Sequence, residues 1–452
     1  MASEQLLASF IKNAKFSDLD AETIKTVKRQ MIAYLGALVA GSATAAAAAA
    51  DFTVEMGGKP EATVLVLGDK VPAHAAAFAN GVMGRALDID DHISPGAHIG
   101  GAAIPAAMAT AQLAGGCSGK DFITAVATGT EVSLRLMLEE EDYSGFDPTG
   151  VSAVFSSAAA ASKLLGFDEK LIWNSLGLVF DRCGSSFQHF IDGVLAGPVM
   201  EGWVAQAGVE CARLTQRGVT GCVNYLEGVY GFFNLFGRGK KDISHVTKDL
   251  GRTWHLKNLN FKKYPSCGMT QSNTELMINM KEEHGFTHAD VERVDIFIPP
   301  YAFKLVGHPF KIGLNPRVDA QFSAAYCVAN ALMRSPVTLS HFEAAQISDP
   351  EIVNFIKEKV TVTSDPSVDR THYSSDIRVR TKSGKEYLGQ IDIPPGTPKN
   401  PVTDEGHRQR FFDCVKSSGK TWMHGREEDI LDYIETLETK DDICGIIPLF
   451  LQ

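Results

Sequence analysis

Residues 85–107, RALDIDDHISPGAHIGGAAIPAA, form the richest stretch of titratable groups in the chain. Asp88, Asp90, Asp91, His92 and His98 fall within eleven positions, broken by Ser94-Pro95-Gly96 and followed by Gly100-Gly101 at the start of a small-residue helical pattern. Carboxylates that orient imidazoles make an acid/base loop. The same groups can ligate a divalent metal, and a polar capped turn without chemistry has the same composition. A helix start beside the loop offers backbone N–H groups and a dipole to an anion. A second segment, LNFKKYPSCGMTQSNTELM (259–277), sets Lys262 and Lys263 between Phe261, Tyr264 and Pro265, ahead of a helical pattern. A lysine desolvated there becomes a usable acid or base; a solvated Lys-Lys pair is the alternative.

Weaker candidates lie elsewhere. Tyr143 and Asp147 occur in a loop, EDYSGFDPTG, whose side chains either face a cleft or solvent. Tyr326, in QFSAAYCVAN, falls in an apolar helical window and on its own reads as core. The basic run GRGKK (237–241) lacks the phosphate-binding spacing and reads as a turn. No G-x-S-x-G, H-E-x-x-H or dinucleotide-binding glycine pattern is present.

The elements that must position these residues divide in two. From the start to about residue 255 the pattern is helix after helix, rich in Ala and Gly, which predicts close packing of helix axes. The run 31–52, MIAYLGALVAGSATAAAAAADF, has membrane-like length. Its alanine content and the break at Gly41-Ser42 predict two packed helices instead. EATVLVLG (61–68) is the one β-like interruption. Beyond 255, VERVDIFIPP (291–300), KVTVTSD (359–365) and the hairpin-like DIRVRTKSGKEYLGQIDI (376–393) alternate with helical windows. After PPGTPKNPV the chain turns helical again. The expected fold is therefore mainly α: an all-helical domain (1–255 and 398–452) interrupted by a smaller α+β domain (256–397).

Bulk properties narrow the partners. Lys plus Arg number 43 against 54 Asp plus Glu, a net charge of −11, which argues against a nucleic-acid partner. The eight cysteines include no C-x-x-C pair, the usage of a reduced compartment. The opening residues have no basic start leading into an apolar run, so a cytoplasmic location away from membranes is expected.

Taken in order, LLASFIKNAKF…LGALVAG, ATVLVLGDKVPAHAAAFANG, ALDIDDHISPGAH, FDPTGVSAVFSSAAAASKLLG and FKKYPSCGMTQ resemble the MmgE/PrpD family over nearly the whole chain. That group includes 2-methylcitrate dehydratases, cis-aconitate decarboxylases and iminodisuccinate epimerase. The resemblance implies an all-helical domain with an inserted α+β lid, usually as a homodimer. It also implies an active site between the domains that uses no cofactor and takes a small anionic polycarboxylate. Carried over by position, it implies roles for Asp88, His92, His98, Lys262 (with Lys263 as neighbour) and Tyr326.

Departures qualify the activity. Asp147 stands where many relatives have a histidine, Gly197 and Met200 replace a Lys and a His, Gln271 replaces a His, and Arg85 replaces another. Dehydration or decarboxylation needs more proton-transfer groups than epimerisation, which needs one on each face of the α-carbon. The favoured reading is therefore a metal-free epimerase of a substituted, iminodisuccinate-like succinate, with a dehydratase or decarboxylase of a small tricarboxylate as alternative. In it Lys262 or Lys263 stands opposite His98, with His92 or Tyr143 in reserve, and Asp88 orients a histidine. Arg85 clamps a carboxylate through its fork, and Tyr326, Asp147 and Gln271 complete the binding set.

Overall fold

A computed structural model describes residues 2–240 and 242–452; Lys241 of the basic run lies outside the described residues. The chain is mainly helical. Its first half runs through Ser3–Asn13 (α1), Ala21–Gly41 (α2), Ala48–Met56 (α3), Ala73–Arg85 (α4), Gly100–Leu113 (α5), Gly119–Arg135 (α6), Val154–Leu164 (α7), Glu169–Val179 (α8), the single turn Gln188–Ile191 (α9) and Ala196–Gln216 (α10). Side-chain oxygens start three of these: Asp20 accepts from the Thr23 N–H at 2.8 Å, Ser118 from Asp121 at 3.1 Å and Asp168 from Leu171 at 2.8 Å.

The alanine-rich run breaks after Gly41, and the helical segments on either side meet at 89°. Among the described residues no single helix is long and apolar enough to cross a membrane. Small residues let α2 and α4 touch: a Cβ on Gly84 would fall 2.3 Å from the Tyr34 ring, and one on Gly41 1.9 Å from the Met83 carbonyl oxygen. Tyr34 is fully buried and has nowhere to swing. Gly84→Ala should therefore cost about 1–3 kcal/mol by overpacking, read as a lower urea midpoint at unchanged slope. A midpoint equal to the parent's would show that the ring yields freely.

Two separate apolar cores organise the rest. The larger draws on Leu7 through Phe261 and resumes with Phe411 through Phe450, so the C-terminal helices pack back onto the first half. The second spans Cys267 to Val379. It contains a four-stranded sheet of Val360–Ser364 (β6), Val291–Ile298 (β5), Ser375–Thr381 (β7) and Glu386–Ile391 (β8), in that order, with β5 parallel to β6 and antiparallel to β7. β7 and β8 form the hairpin, and Ile377 and Val379 point inward while Arg378 and Arg380 point out.

EATVLVLG is a correction. Only Ala62–Thr63 (β1) pairs, with Lys70–Val71 (β2). Helix side chains take the backbone donors that a longer ladder needs: Thr63 N–H donates to Gln112 at 3.0 Å and Leu65 N–H to Asn80 at 2.9 Å. One further ladder matters more for chemistry. Asp91–His92 (β3) pairs antiparallel with Asn260–Phe261 (β4), Asp91 opposite Phe261 and His92 opposite Asn260. Two residues of pairing thus bring the acidic loop to the lysine segment.

Candidate active site

Arg85 closes α4, and Asp88, three residues on, takes a left-handed backbone (φ 51°), which aspartate tolerates better than most residues. Its Oδ1 receives both the Arg85 guanidinium and the Lys262 ammonium, the latter at 2.7 Å. Lys262, 1% exposed, also donates to the Asp88 carbonyl at 3.1 Å. The lysine is aimed by its neighbours: β4 delivers it, Arg410 from the C-terminal helix Asp404–Ser417 grips its carbonyl, and Gln321 from the second core bridges Leu87 (2.6 Å) and Pro265 (3.2 Å).

His98 sits just before α5. Its Nδ1 lies 3.1 Å from Asp90 Oδ2 and 3.0 Å from the Asp91 carbonyl oxygen, two acceptors that place the proton on Nδ1. Nε2 then carries the lone pair, and Arg85 Nη2 faces it at 3.0 Å. The His98 N–H donates to Thr149 Oγ1 at 3.1 Å. Burial pushes Asp88 up, but Arg85, Lys262 and His98 together hold it well below the usual carboxylate range. Asp90 is likewise held at about 2 by His98 and Arg85 against burial. Burial and then Arg85 lower the His98 imidazole, which Asp90 only partly restores, so its resting form is neutral. Burial, Lys262 and His98 push His92 well below the ordinary imidazole range.

The helix start that seemed free for an anion is taken. Asp91 Oδ2 accepts from Gly100 N–H at 3.2 Å and from Gln30 at 3.0 Å, and a Cβ on Gly100 would fall 2.1 Å from Asp91 Oδ1. Burial and the Asp90 charge raise Asp91 to about 7. Between about pH 4, where an unfolded aspartate titrates, and about 7, the folded protein holds a proton that the unfolded chain has lost. That contribution is complete below the unfolded value and is lost as pH rises through the folded one. Asp91→Asn should remove it, so the stability of the variant relative to the parent should climb with pH across this window in urea titrations. A relative stability independent of pH would contradict the assignment.

Arg85, Asp88, His92 and His98 line a small cavity of about 20 Å³, walled by Phe187, Phe190, Phe322, Leu305 and Met269. Such a space admits one water, not a polycarboxylate. A groove of about 1040 Å³ shares Phe187 and Leu305 with it, and a second of about 830 Å³ is lined by Lys262 and Arg410.

The structure thus brings Arg85, Asp88, His92, His98 and Lys262 together and places the other candidates elsewhere. Lys262 meets His98 over a shared carboxylate, Asp88, with His98 Nε2 3.9 Å from Asp88 Oδ1. The two do not face each other across an open pocket. Lys263 points the other way, half exposed, onto Glu275 at 2.9 Å. Tyr143 lines the outer groove and its hydroxyl accepts from Leu138 N–H at 3.3 Å. Tyr326 is buried in the second core with its hydroxyl donating to the His341 carbonyl. Gln271 ties down the lysine turn, accepting from Lys263 and Tyr264 N–H groups at 3.1 and 3.0 Å. Asp147 stands behind His98, 3.4 Å from His189. His189 was missed by sequence reasoning, as was Glu201. The latter is a fully buried carboxyl within reach of the Arg85 charge, with neither oxygen hydrogen-bonded among the described residues; burial raises it well above the usual range. Glu201 had no motif to flag it, although Gly101, whose Cβ would fall 2.7 Å from it, belongs to the Gly-Gly pair.

Three of these groups, Asp88, Asp90 and His98, offer ligand atoms within 4.8 Å of one another. Arg85 and Lys262 already neutralise the two carboxylates, so a divalent ion there would meet two fixed cations. What the arrangement can do is proton transfer beside an anion drawn to Arg85.

Residues 5–244 match the MmgE/PrpD N-terminal domain and residues 264–436 the MmgE/PrpD C-terminal domain. The chain belongs to the MmgE/PrpD family. It is 25% identical to a cis-aconitate decarboxylase of Mus musculus over 402 residues, 85% of this chain and 79% of that protein. It is 23% identical to a cis-aconitate decarboxylase of Homo sapiens, over 98% of this chain and 93% of that protein.

Proposed function

We propose that the protein is a lyase that cleaves a C–C or C–O bond beside a carboxylate of a small polycarboxylate, cis-aconitate or 2-methylcitrate in type. The observation that carries it is His98 Nε2 facing Arg85 Nη2 at 3.0 Å beside a small cavity walled largely by apolar side chains. The relatives' activity favours a lyase over an epimerase. Arg85 Nη2 caps the base in the resting site, and Arg85 Nε donates to no described acceptor. A substrate carboxylate that takes the guanidinium fork frees Nε2 for the reaction. Asp88 and Lys262 hold Arg85 in register; Asp90 fixes the imidazole. The second core acts as a lid, since its Leu305, Phe322 and Met269 form part of the roof, and the homodimer implied by the family is part of the same proposal.

Epimerisation of a substituted succinate is the second reading. It is favoured by the balance of Arg85 and Lys262 against Asp88 and Asp90, which leaves no uncommitted cation for a third carboxylate. Incubation with cis-aconitate, 2-methylcitrate and a panel of succinate derivatives, followed by proton NMR and carbon dioxide capture, separates the two. Loss of carbon dioxide or of water supports the lyase. Racemisation without either supports the epimerase, and activity abolished by exhaustive chelation would sink both metal-free readings.

A further inference from the structure

We propose that Asp147 and His189 form a second proton-transfer pair of this site, delivering a proton to the substrate; the inference rests on the lyase reading above. His189, on α9, is buried, and its Nε2 lies 3.4 Å from Asp147 Oδ2 without a described hydrogen-bond partner. The other Asp147 oxygen accepts from Thr149 N–H at 2.8 Å, and Thr149 Oγ1 accepts from His98 N–H at 3.1 Å. One turn of chain therefore holds both imidazoles. His189 is flanked by two walls of the cavity: its ring centroid is 4.2 Å from Phe190 and 6.2 Å from Phe187. Phe190 in turn lies under the Arg85 guanidinium, 5.5 Å away. Helix α10 leaves room for this stack, because a Cβ on Gly197 would come 2.7 Å from Phe190 and 3.1 Å from His189. The titratable groups that bear on the pair are His98 from the acidic loop, Glu201 from α10, and Tyr143 and Tyr301 from the neighbouring groove.

Both lyase reactions need a delivered proton. In dehydration the imidazolium N–H bond breaks, the departing hydroxyl takes that proton together with the C–O electron pair, and water leaves. His98 meanwhile removes the α-proton, and the C–H pair becomes the new double bond. In decarboxylation the same proton goes to the alkene carbon as carbon dioxide departs, the C–C pair forming the shifted double bond. Asp147 faces Nε2, so Nδ1–H is the proton delivered, and water reprotonates the neutral ring when the site opens.

The test measures kcat and KM for the intact protein and for His189→Gln, Asp147→Asn and His98→Gln, with cis-aconitate and 2-methylcitrate as probes. His189→Gln should lower kcat about 10²–10⁴-fold and change KM by less than about threefold. Asp147→Asn should lower kcat by a smaller factor, also at nearly unchanged KM. Added imidazole should restore part of the turnover of His189→Gly, which a purely structural role would not permit. A His189→Gln enzyme with parental kcat, or a His189→Gly enzyme that imidazole does not rescue, beside an inactive His98→Gln, overturns the pair while leaving the lyase reading standing. A parent protein that turns over neither probe removes that reading and this inference with it.

Discussion

Replacing Asp88 with Asn should cost the protein about 3–5 kcal/mol of folding stability, the expected loss when one partner of a buried ion pair is removed. Asp88 is 2% exposed and its Oδ1 carries both Arg85 and Lys262. Without the carboxylate, Lys262 stays buried with no anionic partner and Arg85 keeps only Asp90, 3.8 Å away. The same logic has a pH sign. Asp88 and Asp90 are held below the range of an unfolded aspartate. The stability they contribute is therefore complete above about pH 4 and is lost as pH falls through their folded values. Urea titrations at neutral pH read the size directly. A loss under about 1 kcal/mol would mean that water reaches Lys262 and Arg85 and screens them, as at exposed ion pairs, against the burial on which the site is built.

His98→Gln is the second large effect, this time on rate. Glutamine keeps a side-chain donor for Asp90 but offers no basic nitrogen, so kcat should fall about 10²–10⁴-fold, the usual worth of general acid/base catalysis. Folding stability should move far less than in Asp88→Asn, since the imidazole is neutral and leaves no charge behind. In the parent, burial and Arg85 lower the imidazole, and the base works only when neutral. The acidic limb of kcat/KM should accordingly lie below about pH 6.5, the ordinary value of a free imidazole, with activity lost as pH falls through it. A limb above that value would mean that Asp90 outweighs burial and Arg85, and that the resting histidine is charged.

The helical half and the strands of the second core were legible because their patterns run long: alternation over β5 and β7, helical spacing over α2 and α6. The acidic loop was legible because its chemistry is contiguous in sequence. The ladder between β3 and β4 was not, since two residues of pairing carry no period to read. That ladder also fixes which lysine meets Asp88. Lys262 and Lys263 follow an extended segment whose side chains alternate in direction, so one turns onto Asp88 and the other onto Glu275. Gln271 and Tyr326 were assigned by position alone, and both instead satisfy backbone groups. His189 escaped notice because its partners, Asp147 and the cavity aromatics, are distant in sequence. A lone histidine between phenylalanines offers no spacing signal.

The central claim is that the cluster of Arg85, Asp88, Asp90, His98 and Lys262 is the acid/base centre of the reaction. Proton NMR in deuterated water, following cis-aconitate and 2-methylcitrate with the parent and His98→Gln side by side, tests it most directly. The account predicts product formed by the parent, carrying deuterium at the former alkene carbon when carbon dioxide leaves and no new deuterium when water leaves, and no product with His98→Gln. Equal turnover and equal labelling by the two proteins would contradict it.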